Sequence, residues 1–131
     1  MAIKVSIRQN TLMQVLIEQT KGAIQRCYAP SSQFRDAAAI LDGASKIHIG
    51  VNVENVSCGM TQSAERNAIF PVISKGAKLI TAIVICTPTE TPTPPCGACR
   101  QVVREFASNA MALSVCDSEN RIESIIYHSI H

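Results

Sequence analysis

Tryptophan is absent from this chain, and three phenylalanines with two tyrosines make up its entire aromatic content. So few rings in 131 residues cannot furnish a platform on which successive bases stack. Charge of one sign is also missing. The 12 Lys and Arg stand against 10 Asp and Glu, a net +2 scattered without a cationic stripe, and nucleic acid drops out as a partner. No stretch approaches the roughly 20 apolar residues that cross a bilayer, so no membrane partner is expected. The opening MAIKVSIRQN lacks an apolar segment of signal-peptide length. These absences together lead to the expectation of a soluble, cytoplasmic protein.

What is plentiful is apolar side chain. With 47% hydrophobic and 17% charged residues, the chain has the material for one compact core, and residues 1–131 are read as a single domain. Six cysteines are the conspicuous chemical resource: Cys27, Cys58, Cys86, Cys96, Cys99 and Cys116. In a small secreted chain they would suggest a disulfide framework; without an export signal, and with core enough to fold unstapled, reduced thiols are the expectation. Cys86 and Cys116 close the apolar runs ITAIVIC and ALSVC and read as small buried hydrophobes. Nothing in the pattern gives Cys27 a function.

Apolar residues at Leu12, Met13, Leu16, Ile17, Ala23 and Ile24 follow a helical period from about Leu12 to Arg26, and Thr11 with Gln14 forms a capping-box pattern. YAPSSQF is a Pro/Ser loop. AAAIL and KIHIGVNVE flank an Asp42-Gly43 turn, the second alternating strictly at Ile47, Ile49, Val51 and Val53, so a β-hairpin is expected. The pleat then sends His48, Gly50, Asn52 and Glu54 to the opposite face, and Asn52 and Glu54 point the same way at the strand's end. TQSAERNAIFPVISKG has helical spacing at Ala64, Ala68, Ile69 and Val72 and a stop at Gly76, with Pro71 predicted to kink or shorten the helix. LITAIVIC reads as a buried strand and TPTETPTPP as a stiff extended loop; a helix starting near Cys96 and the strand MALSVC follow. A hairpin followed by alternating helix and strand implies a mixed sheet with parallel strands joined by helical crossovers.

Cys96 and Cys99 begin a helix directly after a run of prolines. That spacing sets two thiols on nearly the same face, close enough to share a metal through bonds of about 2.3 Å. The helix dipole and the free amides of the first turn favour the thiolate form. For the pair alone, metal binding, redox use and simple packing all remain open. Zinc deaminases combine a His or Cys ligand, a general acid/base Glu two residues later, and then Pro-Cys-x-x-Cys. Pro95, Cys96, Gly97, Ala98 and Cys99 fit the second half; upstream, Ala64 and Glu65 fit the first, with Ser63 at the third-ligand position.

On these residues the chain resembles the cytidine deaminase family, of the small type that acts on free nucleosides. The resemblance extends through YAP with Phe34, DG at Asp42, GVNVEN from Gly50 to Asn55, AER with AIF from Ala64 to Phe70, and PCGACRQVVREF from Pro95 to Phe106. It implies a three-layer α/β/α domain with a mixed sheet that hydrolyses cytidine or deoxycytidine to the uridine form plus ammonia. It further implies Zn2+ as cofactor, a nucleoside as the small-molecule partner and a homotetramer as the assembly. Glu65 becomes the general acid/base that moves protons among water, ring nitrogen 3 and the departing amine. Cys96, Cys99 and the Ser63 position hold the metal. Asn52 and Glu54 bind ribose, since an amide and a carboxylate together bond hydroxyls in both senses. Phe34 packs on the pyrimidine, Ala64 contributes backbone near the base, and Arg66 offsets thiolate charge.

Several positions depart from the family pattern. Ser63 supplies a neutral hydroxyl, a far poorer zinc ligand than thiolate or imidazole, with Cys58 nearby in sequence as a conceivable substitute. Ser31 stands where the family has an aromatic after YAP, and Arg35-Asp36 where it has an apolar-glycine pair. ESIIYHSIH occupies the place of the family's terminal Leu-Pro segment, and His128 and His131 within it are not read as ligands. Two other readings follow from these departures: a deaminase for a modified cytosine nucleoside of the blasticidin type, and a catalytically silent nucleoside-binding relative supported chiefly by Ser63.

Overall fold

The computed structural model describes residues 11–89, 97–107, 110–116 and 122–124. Helix α1, Thr11–Ala23, turns Met13, Leu16, Ile17, Thr20 and Ala23 inward at the expected spacing, and a short 3-10 turn, Ile24–Arg26, carries it to the end that the periodicity predicts. Strands β1, Ala37–Asp42, and β2, Ile47–Val51, form the expected antiparallel hairpin, Ala37 opposite Val51 and Leu41 opposite Ile47. Its turn is built by Asp42, whose Oδ1 accepts the N–H groups of Ala44 and Lys46 at 2.9 Å each, and the left-handed residue is Ser45, not Gly43.

Strand β3, Ile80–Thr87, lies at the centre of the sheet, antiparallel to β1 and parallel to β4, Met111–Cys116. Helix α2, Ala64–Ser74, precedes β3, and helix α3, Gly97–Phe106, makes the crossover to β4 that a parallel pair requires. A fifth strand, β5, Ile122–Ser124, pairs antiparallel with β4 and gives the order β2-β1-β3-β4-β5. Three residues carry too little periodicity to be read as a strand; β4 supplies the edge that makes them one.

The sheet is covered on both sides. On one, Met13, Leu16 and Ile17 of α1 pack against Ala39, Leu41, Val84, Cys86, Leu113 and Val115. On the other, Ala64, Ala68, Ile69 and Val72 of α2 and Val103 of α3 pack against Ala38, Ile40, Ile83 and Ile85. This is the three-layer α/β/α arrangement, with residues of opposite parity along β1 feeding opposite layers. Gly50 sets how near α2 lies to the sheet: a Cβ there would stand 2.3 Å from both the Ala64 carbonyl oxygen and the Ala68 nitrogen.

Pro71 does not end the helix. Helix α2 runs past it to Ser74, and the Lys75 N–H bonds back to the carbonyls of Pro71 and Val72 at 3.1 and 3.2 Å. One amide donor is lost, but the flanking residues Ile69 and Val72 stay buried in the core and hold the last turn. Gly76, at φ +96°, ends it as anticipated. Among the described residues no helix is long and apolar enough to cross a membrane.

Candidate active site

Ser63 sits immediately before α2 in an extended conformation, the position at which a serine ordinarily caps its own helix. It makes no side-chain cap bond there. Its Oγ instead lies 2.7 Å from Cys99 Sγ in the first turn of α3, and it accepts a hydrogen bond from Arg66 Nε at 3.0 Å. The other arm of that guanidinium donates to the Thr61 carbonyl at 3.3 Å, which fixes the fork across the start of α2. Cys99 is wholly buried. The two helix beginnings are held together farther along by an edge-to-face contact between Phe70 and Phe106, ring centroids 6.5 Å apart. Glu65, in the first turn of α2, is also buried, so the acidic side chain and the buried thiol belong to converging helix tips.

A second set of groups gathers where β2 ends. The ladder stops at Val51, and the chain then changes partners: the Asn52 N–H bonds to the Asp36 carbonyl at 3.0 Å, while Val53 pairs with Tyr28 on one side and Gln62 on the other. Asn52 is buried and its Nδ2 donates to the Phe34 carbonyl at 3.1 Å. Glu54 Oε1 accepts the N–H groups of Ser31 and Ser32 at 3.2 and 3.3 Å. The Ser32 side chain first, and then those N–H bonds, hold its carboxyl below the usual range. Asn52 and Glu54 therefore address the same loop, 31–34, although the strand expected to run through Glu54 ends at Val51. Phe34 is 39% exposed on that loop, an aromatic face left available at the surface.

Asn67 joins the two sets. From α2 its Nδ2 donates to the Val51 carbonyl at 2.7 Å and to the Gln62 carbonyl at 3.3 Å, tying the helix that carries Glu65 to the strand that delivers Asn52. Sequence reasoning passed over it; an amide on the inward side of an apolar helix face was the available signal. Asp36 was noted only as a departure. It is buried, and its carboxyl is pushed up to about 7, first by burial and then by the charge of Glu65, against the opposing bond from its own N–H. Cys27, assigned no function, donates its thiol to the Asp36 carbonyl at 3.1 Å, and burial raises its pKa.

Of the expected metal ligands, Ser63 and Cys99 converge, while Cys96 lies outside the described residues, as do the side chain of Cys58, the conceivable substitute, and His128 and His131, which are not read as ligands. Among the described residues no group of three His, Cys, Asp or Glu gathers to hold a metal. The donor chemistry nevertheless fits zinc, since an oxygen and a sulfur from the starts of two helices lie 2.7 Å apart. The weak member is the hydroxyl.

The family described as "Cytidine and deoxycytidylate deaminase zinc-binding region" matches residues 10–115. A cytidine deaminase of Sporosarcina psychrophila is 38% identical over 111 residues, covering 85% of this chain and 82% of that protein. One of Halalkalibacterium halodurans is 42% identical over 93 residues, with 71% and 70% covered. The crystal structure of cytidine deaminase from Burkholderia pseudomallei superposes with a TM-score of 0.78 at 36% identity, covering 85% of this chain and 91% of that one.

Proposed function

Since the chain belongs to the cytidine and deoxycytidylate deaminase family, we propose that it is a zinc-dependent hydrolase converting cytidine or deoxycytidine to the uridine form plus ammonia. The observation that carries the reading is the meeting of Ser63 Oγ and Cys99 Sγ at 2.7 Å beside a buried Glu65. Cys96, Cys99 and the Ser63 position would hold zinc, which would supply a bound water of pKa about 7 for attack at neutral pH.

Glu65 carries the protons. Its carboxylate accepts one from the attacking water as the new carbon–oxygen bond forms at carbon 4, and passes it to ring nitrogen 3. It then moves the remaining hydroxyl proton to the exocyclic nitrogen as that carbon–nitrogen bond breaks, leaving a carbonyl and ammonia. Burial of Glu65 keeps bulk water from intercepting either transfer. Arg66, donating to Ser63, places positive charge beside the thiolates. Asn52 and Glu54 take the sugar hydroxyls, Phe34 packs on the pyrimidine, and the Ala64 backbone lies near the base. Pyrimidine salvage in the cytoplasm, a single domain over residues 1–131 and assembly as a homotetramer complete the reading.

The test is zinc content together with the loss of cytidine absorbance, measured on this protein and on Ser63→Cys. Restoring a thiolate should raise metal affinity by about 10-fold or more, and turnover with it. No change in either quantity would remove Ser63 from the ligand set. Zinc-loaded protein without turnover in both forms would overturn the deaminase reading in favour of a nucleoside-binding relative.

A further inference from the structure

Asp36 stands across the sheet from Asn52. The register that sets Ala38 opposite Gly50 carries Asp36 opposite Asn52, and the bond from the Asn52 N–H to the Asp36 carbonyl at 3.0 Å closes that pair. Directly opposite residues of an antiparallel pair put their side chains on one face, with Cβ atoms about 4.5–5.5 Å apart. That face is the one turned to α2. A Cβ on Gly50, two residues before Asn52, would run into the Ala64 carbonyl oxygen and the Ala68 nitrogen, and Ala38, two residues after Asp36, packs with the same two alanines.

Both side chains are buried, at 8% exposure for Asn52 and 9% for Asp36, but they are satisfied differently. The Asn52 amide donates to the Phe34 carbonyl at 3.1 Å. The Asp36 carbonyl accepts from the Asn52 N–H and from the Cys27 thiol, whereas its carboxyl has only its own N–H among the described residues. A carboxyl offers several acceptor positions, so this one keeps acceptors unfilled in a place closed to water. Such an arrangement costs stability unless a ligand fills them. Burial, the first cause of the rise of this carboxyl to about 7, is the electrostatic face of the same deficit.

Asn52 is the residue read above as taking a sugar hydroxyl. A ribose carries adjacent hydroxyls on carbons 2 and 3, and two polar side chains directly opposite on neighbouring strands can each take one. A 2′-deoxyribose leaves one of the two side chains without a partner. We propose that Asp36 is a specificity-determining residue of this site: its carboxyl accepts a hydrogen bond from the 2′-hydroxyl of the bound nucleoside, beside the hydroxyl taken by Asn52, and so selects ribonucleosides over 2′-deoxyribonucleosides. The inference rests on the reading of Asn52 as a sugar-binding residue and narrows the proposed substrate to cytidine. A buried acceptor built for a substrate hydroxyl rejects the analogue that lacks it, because the acceptor then stays unpaired.

The test compares cytidine with 2′-deoxycytidine. In the zinc-loaded parent, kcat/KM for cytidine should exceed that for 2′-deoxycytidine by about 10-fold or more. In Asp36→Val, and in Asp36→Ala should the valine variant fail to fold, that ratio should fall toward one, with the change carried by KM. A structural role would lower both rates in step and leave the ratio where it was. A parent ratio near one, or a ratio that the substitutions do not move, overturns the proposal. Absence of turnover with both nucleosides in the parent counts instead against the deaminase reading, and calorimetric titration with uridine and 2′-deoxyuridine then decides the role of Asp36. Tighter binding of uridine by the parent, lost in Asp36→Ala, upholds it; equal binding of the two, or binding of neither, overturns it.

Discussion

The two faces of the sheet are built from similar side chains and end differently. Under α1 the contacts are apolar from Met13 and Leu16 to Leu113 and Val115, and the buried Thr20 bonds its hydroxyl to the Leu16 carbonyl of its own helix. Under α2 and α3 an equally apolar centre, Ile40, Ile69 and Ile83, gives way at one end to Asn52, Asp36, Glu65 and the Ser63–Cys99 contact. One layer therefore supplies stability without chemistry, while the other carries chemistry on the margin of a core that holds it still. A site placed where two helix tips and the ends of strands meet inherits rigidity from the core and polarity from the open backbone groups of those ends.

That contrast breaks most visibly at Glu65. Glu65→Gln should lower kcat by about 10²–10⁴-fold while zinc content and the urea midpoint stay near the parent values; an equal loss of stability would mean that the α2 side does not separate the two duties. The opposite experiment is Leu16→Ala under α1, where a wholly buried side chain is lost. It should cost about 2–5 kcal/mol in chemical unfolding and leave kcat/KM per folded molecule unchanged.

Gly50→Ala tests the boundary between the layers. The new methyl would meet the backbone of Ala64 and Ala68 at 2.3 Å, so α2 must back away from β2. Stability should drop by about 1–3 kcal/mol, and kcat should drop too because Glu65 and Ser63 ride on the displaced helix. A stability loss with an unchanged rate per folded molecule would show that the site tolerates that movement.

The smallest effect is expected at the hairpin turn, remote from both layers' centres. There Asp42 Oδ2 lies 2.9 Å from His48 Nε2, and this bond, followed by those from the Lys46 and Ala44 N–H groups, lowers the Asp42 pKa. A carboxyl depressed in the folded state adds stability above its unfolded pKa of about 3.9 and loses it as pH falls through the folded value. Asp42→Asn should flatten the acid end of the stability curve and leave turnover untouched, as unfolding midpoints below about pH 4 would show.

The legible parts of this molecule were those written in consecutive residues. The 3.6-residue period of α1, the alternation of β2 and the unbroken apolar run of β3 each emerge as an element of the expected type. The cysteine spacing and the AER turn pointed to converging helix starts, and Ser63 does meet Cys99. Pro71 was weighed by its local cost alone, whereas burial of Ile69 and Val72 on either side outweighs one lost hydrogen bond. Asn67 and the burial of Asp36 were not legible because their neighbours are distant in sequence. Nothing near Asp36 along the chain announces that it will be buried with its carbonyl bonded to the Asn52 N–H.

By itself the sequence determined which faces are apolar, where helices and strands begin, and which residues own a thiol, a carboxylate or an amide to offer. Periodicity and residue type carry that information, and both are local. The tertiary structure alone decided that a serine oxygen would face a cysteine sulfur at 2.7 Å instead of capping its own helix, and that Asp36 would be buried at the end of the sheet. Those outcomes depend on strand register and on how closely α2 approaches Gly50, distances set only when separate segments pack together.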